Sequence, residues 1–501
     1  MKPEALVTAL AVMAGSCRRR RRRAGALLVL VLLIGGEGAR AKEAGSARSL
    51  EVLEHRLYRY RDHLERSSKR LTLQQALALG LAQNPILAQA YAQIEATRWA
   101  GVAIRREWFP SLTAGNDNPG LVGLQQQQAN TLSLSSPQLT LEWTFFDPSR
   151  TPRAKANAAS LAADRFLFDV QARSLLLAIK QNYIDLQTLL KLEGDYRDLS
   201  TMVEDWRTLA KAKARGGAAT PDVDQLTSQE LALLITRIET HEQVIVAASN
   251  LAQSLSLPPG ELVMPSDPLE LEGEWTLSRK DTIAQALRLR EEIQGSLANA
   301  QSLAWSAMAT RKGYLPSLSL EGSGSSQANS DAPGLVSEGG VGVNVQWTLF
   351  DGGILAAKAT SQNRQQEQAL QQAALDRLAV TAEVEKNYAA YISSQIVVDS
   401  ALAQLESARA SVAAAKKSFQ SGAGNATTLL QVLANSRGAL EAYALALQKH
   451  NKSVAALYRH SARWPEQAQP LLQQRLGLLK TSTDQGSHPQ MSAPGPSLMG
   501  P

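Results

Sequence analysis

The sequence predicts a mainly α-helical chain, built twice from one helix–strand–strand–helix–helix unit, whose four β-strands are too few to close a membrane barrel alone. Three observations carry this: an internal repeat, two helix-forming runs of exceptional length, and strands with one apolar and one polar face.

The repeat has an offset of about 205 residues. Trp99, Arg105, Pro110, Ser111 and Leu112 match Trp305, Arg311, Pro316, Ser317 and Leu318. Trp143-Thr144-Phe145-Phe146-Asp147 matches Trp347-Thr348-Leu349-Phe350-Asp351, and Asn182-Tyr183 matches Asn387-Tyr388. Gly216-Gly217 followed by Thr220 matches Gly422 to Gly424 followed by Thr427. The order of landmarks is kept, so two structural repeats are expected, over 71–256 and 276–465. The segment 257–275 between them is rich in Pro, Gly and acid and reads as a linker.

Each repeat opens on a helical stretch. Leu73 to Arg106 is the first, with a break expected at Asn84-Pro85 because a residue before proline avoids the helical region. Pro110 and Pro316 end the opening helices and begin extended chain. Ala154 to Ala214 is then rich in Ala, Leu, Gln and charge, which are good helix formers. It would span roughly 90 Å at 1.5 Å per residue, with Gly194 as a place to bend. Pro221 restarts a helix to about Leu255, with Thr220 as its cap. The second repeat predicts helices over 281–312, 354–420 and 427–462. Within 354–420, steps of four and three pick out Val384, Tyr388, Tyr391, Gln395, Val398, Leu402, Leu405, Arg409, Val412, Lys416 and Phe419, a coiled-coil seam with three polar interruptions. An ordinary bundle has little use for helices of this length, so a projecting coil is the better reading.

Leu139, Leu141, Trp143 and Phe145 alternate with Thr140, Glu142 and Thr144, and Val341 to Phe350 repeats the pattern. Period two with one apolar face is a strand, and nine or ten residues suit a tilted transmembrane one. Ser111 to Gly115 and Ser317 to Gly322 are the shorter partners, separated from them by loops rich in Gly, Asn, Gln and Ser. A bilayer accepts strands only in a closed barrel, and about eight is the smallest known number. Either several copies share one barrel or the strands form a small soluble sheet.

The leader and the apolar outward face of the strands favour the first alternative. The net charge is +6. Residues 1–41 hold eight basic and two acidic residues; 52 less 8 leaves 44 basic and 46 less 2 leaves 44 acidic, so the remaining chain is neutral and nucleic acid is not an expected partner. Arg18 to Arg23, the apolar Ala24 to Ile34 and Ala39-Arg40-Ala41 have the order of a secretory signal peptide, with cleavage expected after Ala41. The apolar core is too short to span a bilayer. Residues 42–70 form a basic N-terminal segment, and 466–501 a Pro/Ser/Gly/Gln-rich tail expected to be disordered. The only cysteine, Cys17, lies in the leader, which removes disulfides, CxxC metal sites and cysteine nucleophiles from the body. There is no phosphate-binding loop, zinc-protease helix or serine nucleophile elbow. No cofactor or metal is expected, and no enzyme. His55, His63, His241, His450, His460 and His488 show no ligand spacing and read as solvated positions, and Asp147 and Asp351 as turn caps.

At this point the residues resemble the TolC-type outer-membrane efflux proteins. The resemblance rests on Leu71-Thr72-Leu73-Gln74-Gln75-Ala76-Leu77 with Asn84-Pro85, on Trp108-Phe109-Pro110-Ser111-Leu112, on the repeated Trp-Thr-Phe/Leu-Phe-Asp, and on Gly422 with Gln431-Val432-Leu433-Ala434. It implies a homotrimer in which three chains give twelve strands to one outer-membrane barrel, continued by a periplasmic α-barrel of coiled coils, with the inter-repeat segment forming an equatorial region. It implies a passive duct, set in outer-membrane lipid and docked to a periplasmic adaptor and an inner-membrane transporter, exporting small molecules or, as in type I secretion, proteins. The hairpin tips that meet the adaptor would be at Gly216, Gly217 and Thr220 and at Gly422, Gly424 and Thr427. The periplasmic constriction would fall on Phe419, Gln431 and Asn435, the helix-to-strand transitions on Pro110 and Pro316, and an interfacial aromatic girdle on Trp143 and Trp347. One departure stands out: the family's best-known members carry acidic residues on the inner helix, where this chain has Gln431, Ala434 and Asn435. Asp222 and Asp224 lie instead at the start of the first-repeat helix, where carboxylates favour the helix dipole. The rival reading from a different class is a secreted coiled-coil scaffold that conducts nothing.

Overall fold

The structure, a computed structural model, describes residues 68–117, 136–215, 221–328 and 335–463. The expected signal peptide, residues 42–67, Gly216, Gly217, Thr220 and the C-terminal tail lie outside the described residues. The chain opens with β1 (Ser68–Leu71). The first repeat continues through α1 (Leu73–Gln83), α2 (Pro85–Arg106), β2 (Ser111–Asp117), β3 (Ser136–Phe146), α3 (Arg150–Arg215) and α4 (Pro221–Ser254). After β4 (Leu262–Pro265) the series recurs as α5 (Arg279–Leu289), α6 (Glu291–Lys312), β5 (Ser317–Ala328), β6 (Leu335–Gln346), α7 (Ile354–Gln420) and α8 (Ala426–His460). Counterpart helices have nearly equal lengths: 11 and 11 residues, 22 and 22, 66 and 67, 34 and 35.

Local chemistry sets the boundaries. Thr72 and Gln75 form a reciprocal cap that starts α1: Thr72 Oγ1 accepts from the Gln75 N–H at 3.2 Å, and Gln75 Oε1 from the Thr72 N–H at 3.0 Å. Asn84 ends α1 with extended backbone, and its Oδ1 accepts from the Ile86 N–H at 2.9 Å to start α2. The same break occurs in the second repeat, where the sequence predicts one helix over 281–312. There it falls at Arg290, without a proline to mark it. Charge holds it instead: the buried Arg290 guanidinium reaches Glu292 at 2.8 Å and Glu383 at 3.0 Å. Helix α3 begins four residues ahead of the expected Ala154 and runs unbroken through Gly194.

The linker is not structureless. Its strand β4 pairs in parallel with β1. The Asp267 carboxylate then accepts from the Leu73 N–H and the Tyr183 hydroxyl, each at 3.0 Å, joining the linker to the start of the first repeat and to α3.

The long helices pair as predicted in kind but not in register. On α7 the buried positions include Val384, Tyr391, Val398, Leu405, Val412 and Phe419, which lie on the expected seam. The alternate positions are Ser394, Ala401 and Ala408, one residue before the expected Gln395, Leu402 and Arg409. Small side chains there let the neighbouring helix approach; Arg409 and Lys416 turn outward, and half-buried Gln395 donates its Nε2 to the Tyr391 hydroxyl at 2.9 Å. The tip of the α7–α8 hairpin is a glycine-terminated helix end. Gly422 has φ +82°, its N–H bonds to Phe419 O at 3.2 Å, and the Ala423 N–H bonds to Ser418 O at 3.1 Å. Asn425 caps α8, its Oδ1 accepting from the Thr428 N–H at 2.9 Å.

The tip conformation makes a prediction. A Cβ at Gly422 meets nothing within 4 Å, so the cost of substitution is conformational. Gly422→Ala should lower stability by about 1 kcal/mol in denaturant unfolding, whereas Gly438→Ala, in a helix interior, should raise it slightly.

Candidate functional site

The strands form one antiparallel sheet in the order β2-β3-β5-β6. Of its residues with described exposure (111–115, 138–146, 317–326 and 337–346), none is buried. A soluble sheet covers at least one face with its own core; this one covers neither. Among the described large apolar residues, Phe350, just past the sheet, at 88% and Val341 of β6 at 77% are the most exposed. Strand β6 ends at Gln346, so Trp347 to Phe350, which the sequence places in a strand, lie beyond it; among the described residues β6 is an edge with no partner on its outer side. No described helix is long and apolar enough to cross a membrane.

Pro110 and Pro316 each sit one residue before a strand, β2 and β5. Beside them the two tryptophans repeat one contact. Trp143 Nε1 donates to Trp108 O at 2.9 Å and Trp347 Nε1 to Tyr314 O at 3.0 Å, tying each outgoing strand to the incoming helix end. Asp147 accepts from the Ser149 N–H at 2.8 Å, and Asp351 from the Gly353 and Leu355 N–H groups at 2.9 and 2.7 Å, so both aspartates cap the following turn.

At the opposite end the two hairpins share one core. Trp206 and Leu199 of α3, Leu226 and Leu233 of α4, Leu405 and Phe419 of α7, and Leu429 and Leu433 of α8 pack together. Phe419 is 2% exposed within the single chain. Its ring is therefore spent on this core, which corrects the expectation that it lines the constriction; adding neighbours can only bury it further. Gln431 and Asn435 differ: both lie on the exposed stripe of α8, with Thr427 and Thr428 one turn nearer the tip. Among the described residues, two residue pairs make polar or ring contacts between the hairpin ends. Lys213 Nζ donates to Phe419 O and stands 4.1 Å from the ring centroid, and Thr427 Oγ1 lies 3.4 Å from Gln225 Oε1. Sequence reasoning missed Lys213 because a lysine in the last turn of a helix is ordinary dipole chemistry.

Comparison with known proteins agrees with this geometry. Residues 282–462 match the family model described as outer membrane efflux protein. Solved structures of the same architecture include the outer-membrane channel OprN, at TM-score 0.65 and 19% identity over 78% of this chain and 90% of that one. The Campylobacter jejuni CmeC outer membrane channel matches at TM-score 0.66 and 15% identity, over 80% and 88%. The Neisseria gonorrhoeae MtrE outer membrane channel in its open state matches at 0.63 and 17%, over 78% and 89%. The fold is that of the TolC-type outer-membrane efflux channels. No curated protein sequence matches the chain.

In this channel-tunnel fold the waist, where α3, α6, α7 and α8 meet, carries a network of charges. Arg173 pairs with Glu291 at 2.8 Å and Arg459 with Glu292 at 2.6 Å; Arg290 and His460 converge on Glu383. Three histidines expected in solvent are partnered. His241 lies 3.2 Å from Glu193, buried His450 lies 3.1 Å from Ser394 Oγ, and His460 lies 2.8 Å from Glu383. The sequence spacing did not tell which helix face was covered.

The waist acids titrate in opposite senses. Burial pushes the Glu292 carboxyl up, but hydrogen bonding from Arg290 and the charges of Arg459 and Arg290 outweigh it and hold the group at about 2. Asp169 is pushed up to about 6 by burial and by the charge of Glu291. A lowered carboxylate stabilises the fold above its unfolded value and loses that contribution as pH falls toward 2. A raised one destabilises above pH 6 and ceases to do so once pH falls below its unfolded value near 4. Glu292→Gln should therefore lower the unfolding midpoint at pH 7, by an amount that vanishes near pH 2. Asp169→Asn should raise it at pH 7 and leave it unchanged near pH 4. Thermal unfolding across this range measures both.

Proposed function

We propose that this chain is the outer-membrane duct of an export system: a homotrimer whose strands share one barrel and whose long helices extend into the periplasm, passing small molecules or proteins when docked to a periplasmic adaptor and an inner-membrane pump. The observation that carries the reading is the four-stranded sheet with no core on either face and no cover on either edge. Lipid on one side, water on the other and neighbouring chains at the edges are the surroundings that suit it. Trp143 and Trp347, at the strand ends nearest the helices, fit the periplasmic interface as girdle residues. The duct performs no chemistry; energy comes from the pump. A secreted scaffold would leave the apolar strands in water, and it predicts the protein in the soluble fraction with no conductance in planar bilayers.

The entrance is where this chain has a character of its own. Gln431 and Asn435 place uncharged amides on the exposed stripe of the inner hairpin, so the constriction lacks an acidic ring. The gate is held shut by the ties between hairpin tips, with Lys213 gripping the end of α7. Adaptor contact at Gly422, Gly424 and Thr427, and at the first tip around Gly216, Gly217 and Thr220, would loosen those ties.

In planar bilayers, Gln431→Ala with Asn435→Ala should raise single-channel conductance. Gln431→Glu with Asn435→Asp should shift the reversal potential toward cation selectivity. Lys213→Met should increase the open fraction without altering the open conductance. Unchanged currents in all three variants would remove the constriction from this stretch.

A further inference from the structure

Beside the charge network of the waist lies a cavity whose charged walls are all cationic. It opens between α1, α3 and α8, and four basic side chains line it: Arg173 and Lys180 of α3, Arg459 of α8, and Arg463 beyond the end of that helix. Helical spacing brings them together. Arg173, Leu177 and Lys180 stand four and three residues apart on α3, and Ala455, Arg459 and Arg463 follow one another at steps of four. Leu77, Leu176, Leu177 and Ala455 supply an apolar wall, and the empty volume is about 380 Å³.

Three of the cations are deeply placed: the side chains of Arg173, Lys180 and Arg459 are 6%, 10% and 10% exposed. They pair with Glu291, Glu272 and Glu292 at 2.8, 2.7 and 2.6 Å, but none of these acids lines the cavity. The pairs leave donors over. Arg459 uses Nη2 for Glu292 and, at 3.2 Å, for Ser174 Oγ, while its Nη1 is buried with no hydrogen-bond partner among the described residues. Arg463 makes no ion pair among the described residues and stands 5.9 Å from the Trp275 ring centroid. A buried donor without an acceptor is costly, and the planar fork of a guanidinium matches the two oxygens of a carboxylate.

We propose that this cavity binds a short-chain organic carboxylate, its oxygens held by Arg459 and Arg463 and its hydrocarbon laid against Leu77, Leu176 and Leu177. Charge selects an anion, because no acid faces the space. The leucine wall selects a carbon body over a bare inorganic ion, and a volume at the small end of ligand pockets suits a short acid rather than a lipid tail. The ligand would bridge the long helix of the first repeat to the last helix of the second, next to the Arg459–Glu292 pair, and so stiffen the waist. One chain supplies the whole site, which therefore stands independently of the shared-barrel reading.

The test is thermal unfolding and titration calorimetry of the full-length protein in detergent, with sodium hexanoate as the probe and inorganic phosphate and hexanol as controls. Hexanoate should raise the unfolding midpoint with dose and bind once per chain. Phosphate, which lacks the apolar body, and hexanol, which lacks the charge, should bind several-fold more weakly. Arg463→Ala breaks no ion pair of the described residues, so it should fold normally and weaken hexanoate binding several-fold. Leu177→Glu sets a carboxylate of the chain itself into the cavity and should abolish binding. Phosphate binding as tightly as hexanoate marks a plain oxyanion site and overturns the organic ligand. No response to hexanoate, or the same response in the unaltered protein and in Arg463→Ala, overturns the site.

Discussion

Inside a bilayer a peptide N–H or C=O has no water to fall back on, and each one left unpaired costs several kcal/mol. The sheet of this chain meets that constraint only in its interior. Strands β3 and β5 are paired on both sides, whereas β2 and β6 each leave a side open. Everything else in the architecture is compatible with those two edges being satisfied by other copies. Among the described strand residues none is buried, so neither face of the sheet has a core of its own.

The helices obey the same order as the strands. In the half nearer the sheet, α2 lies beside α3, α3 beside α6 and α6 beside α7; in the other half, α4 lies beside α3, α3 beside α8 and α8 beside α7. Both halves therefore end on the same two edges as the sheet, the first repeat on one and α7 on the other. One set of neighbours serves strand pairing and helix packing together, so a ring that closes the sheet closes the helical wall as well. The unlike edges also explain why a two-fold dimer would not suffice: it would join like to like and leave the other pair of edges open.

Much of this was legible in the sequence because duplication and periodicity are written in residue identity. The pairs Pro110/Pro316 and Trp143/Trp347 flagged the same junction twice, and period two flagged the strands. What the sequence hid were features decided by contacts distant along the chain. The break at Arg290 depends on Glu383, which lies on a different helix. The seam of α7 follows Ser394, Ala401 and Ala408 rather than Leu402, because closeness of approach, not apolarity, selects the facing residue. Phe419 looked like a pore residue because it stands beside the tip, yet its ring is claimed by a core assembled from both hairpins. An exposed Gln431 and a buried Phe419 cannot be told apart by position in the chain alone.

That last contrast bears on how such a duct can be both tight and openable. A large aromatic ring in the passage would bind whatever apolar cargo passes it. Placed instead in the core between hairpins, Phe419 lends its ring to packing and its carbonyl to Lys213, so one residue joins the second-repeat hairpin to the first twice. The surface left on α8 beside the tip is polar and uncharged, and it holds nothing strongly. On the proposed reading, closure depends on how the hairpins lean on one another rather than on what the constriction attracts. A few contacts at the tips, each worth about 1–3 kcal/mol, are within what a docking protein can outweigh, while the deep hydrophobic cores above them remain intact.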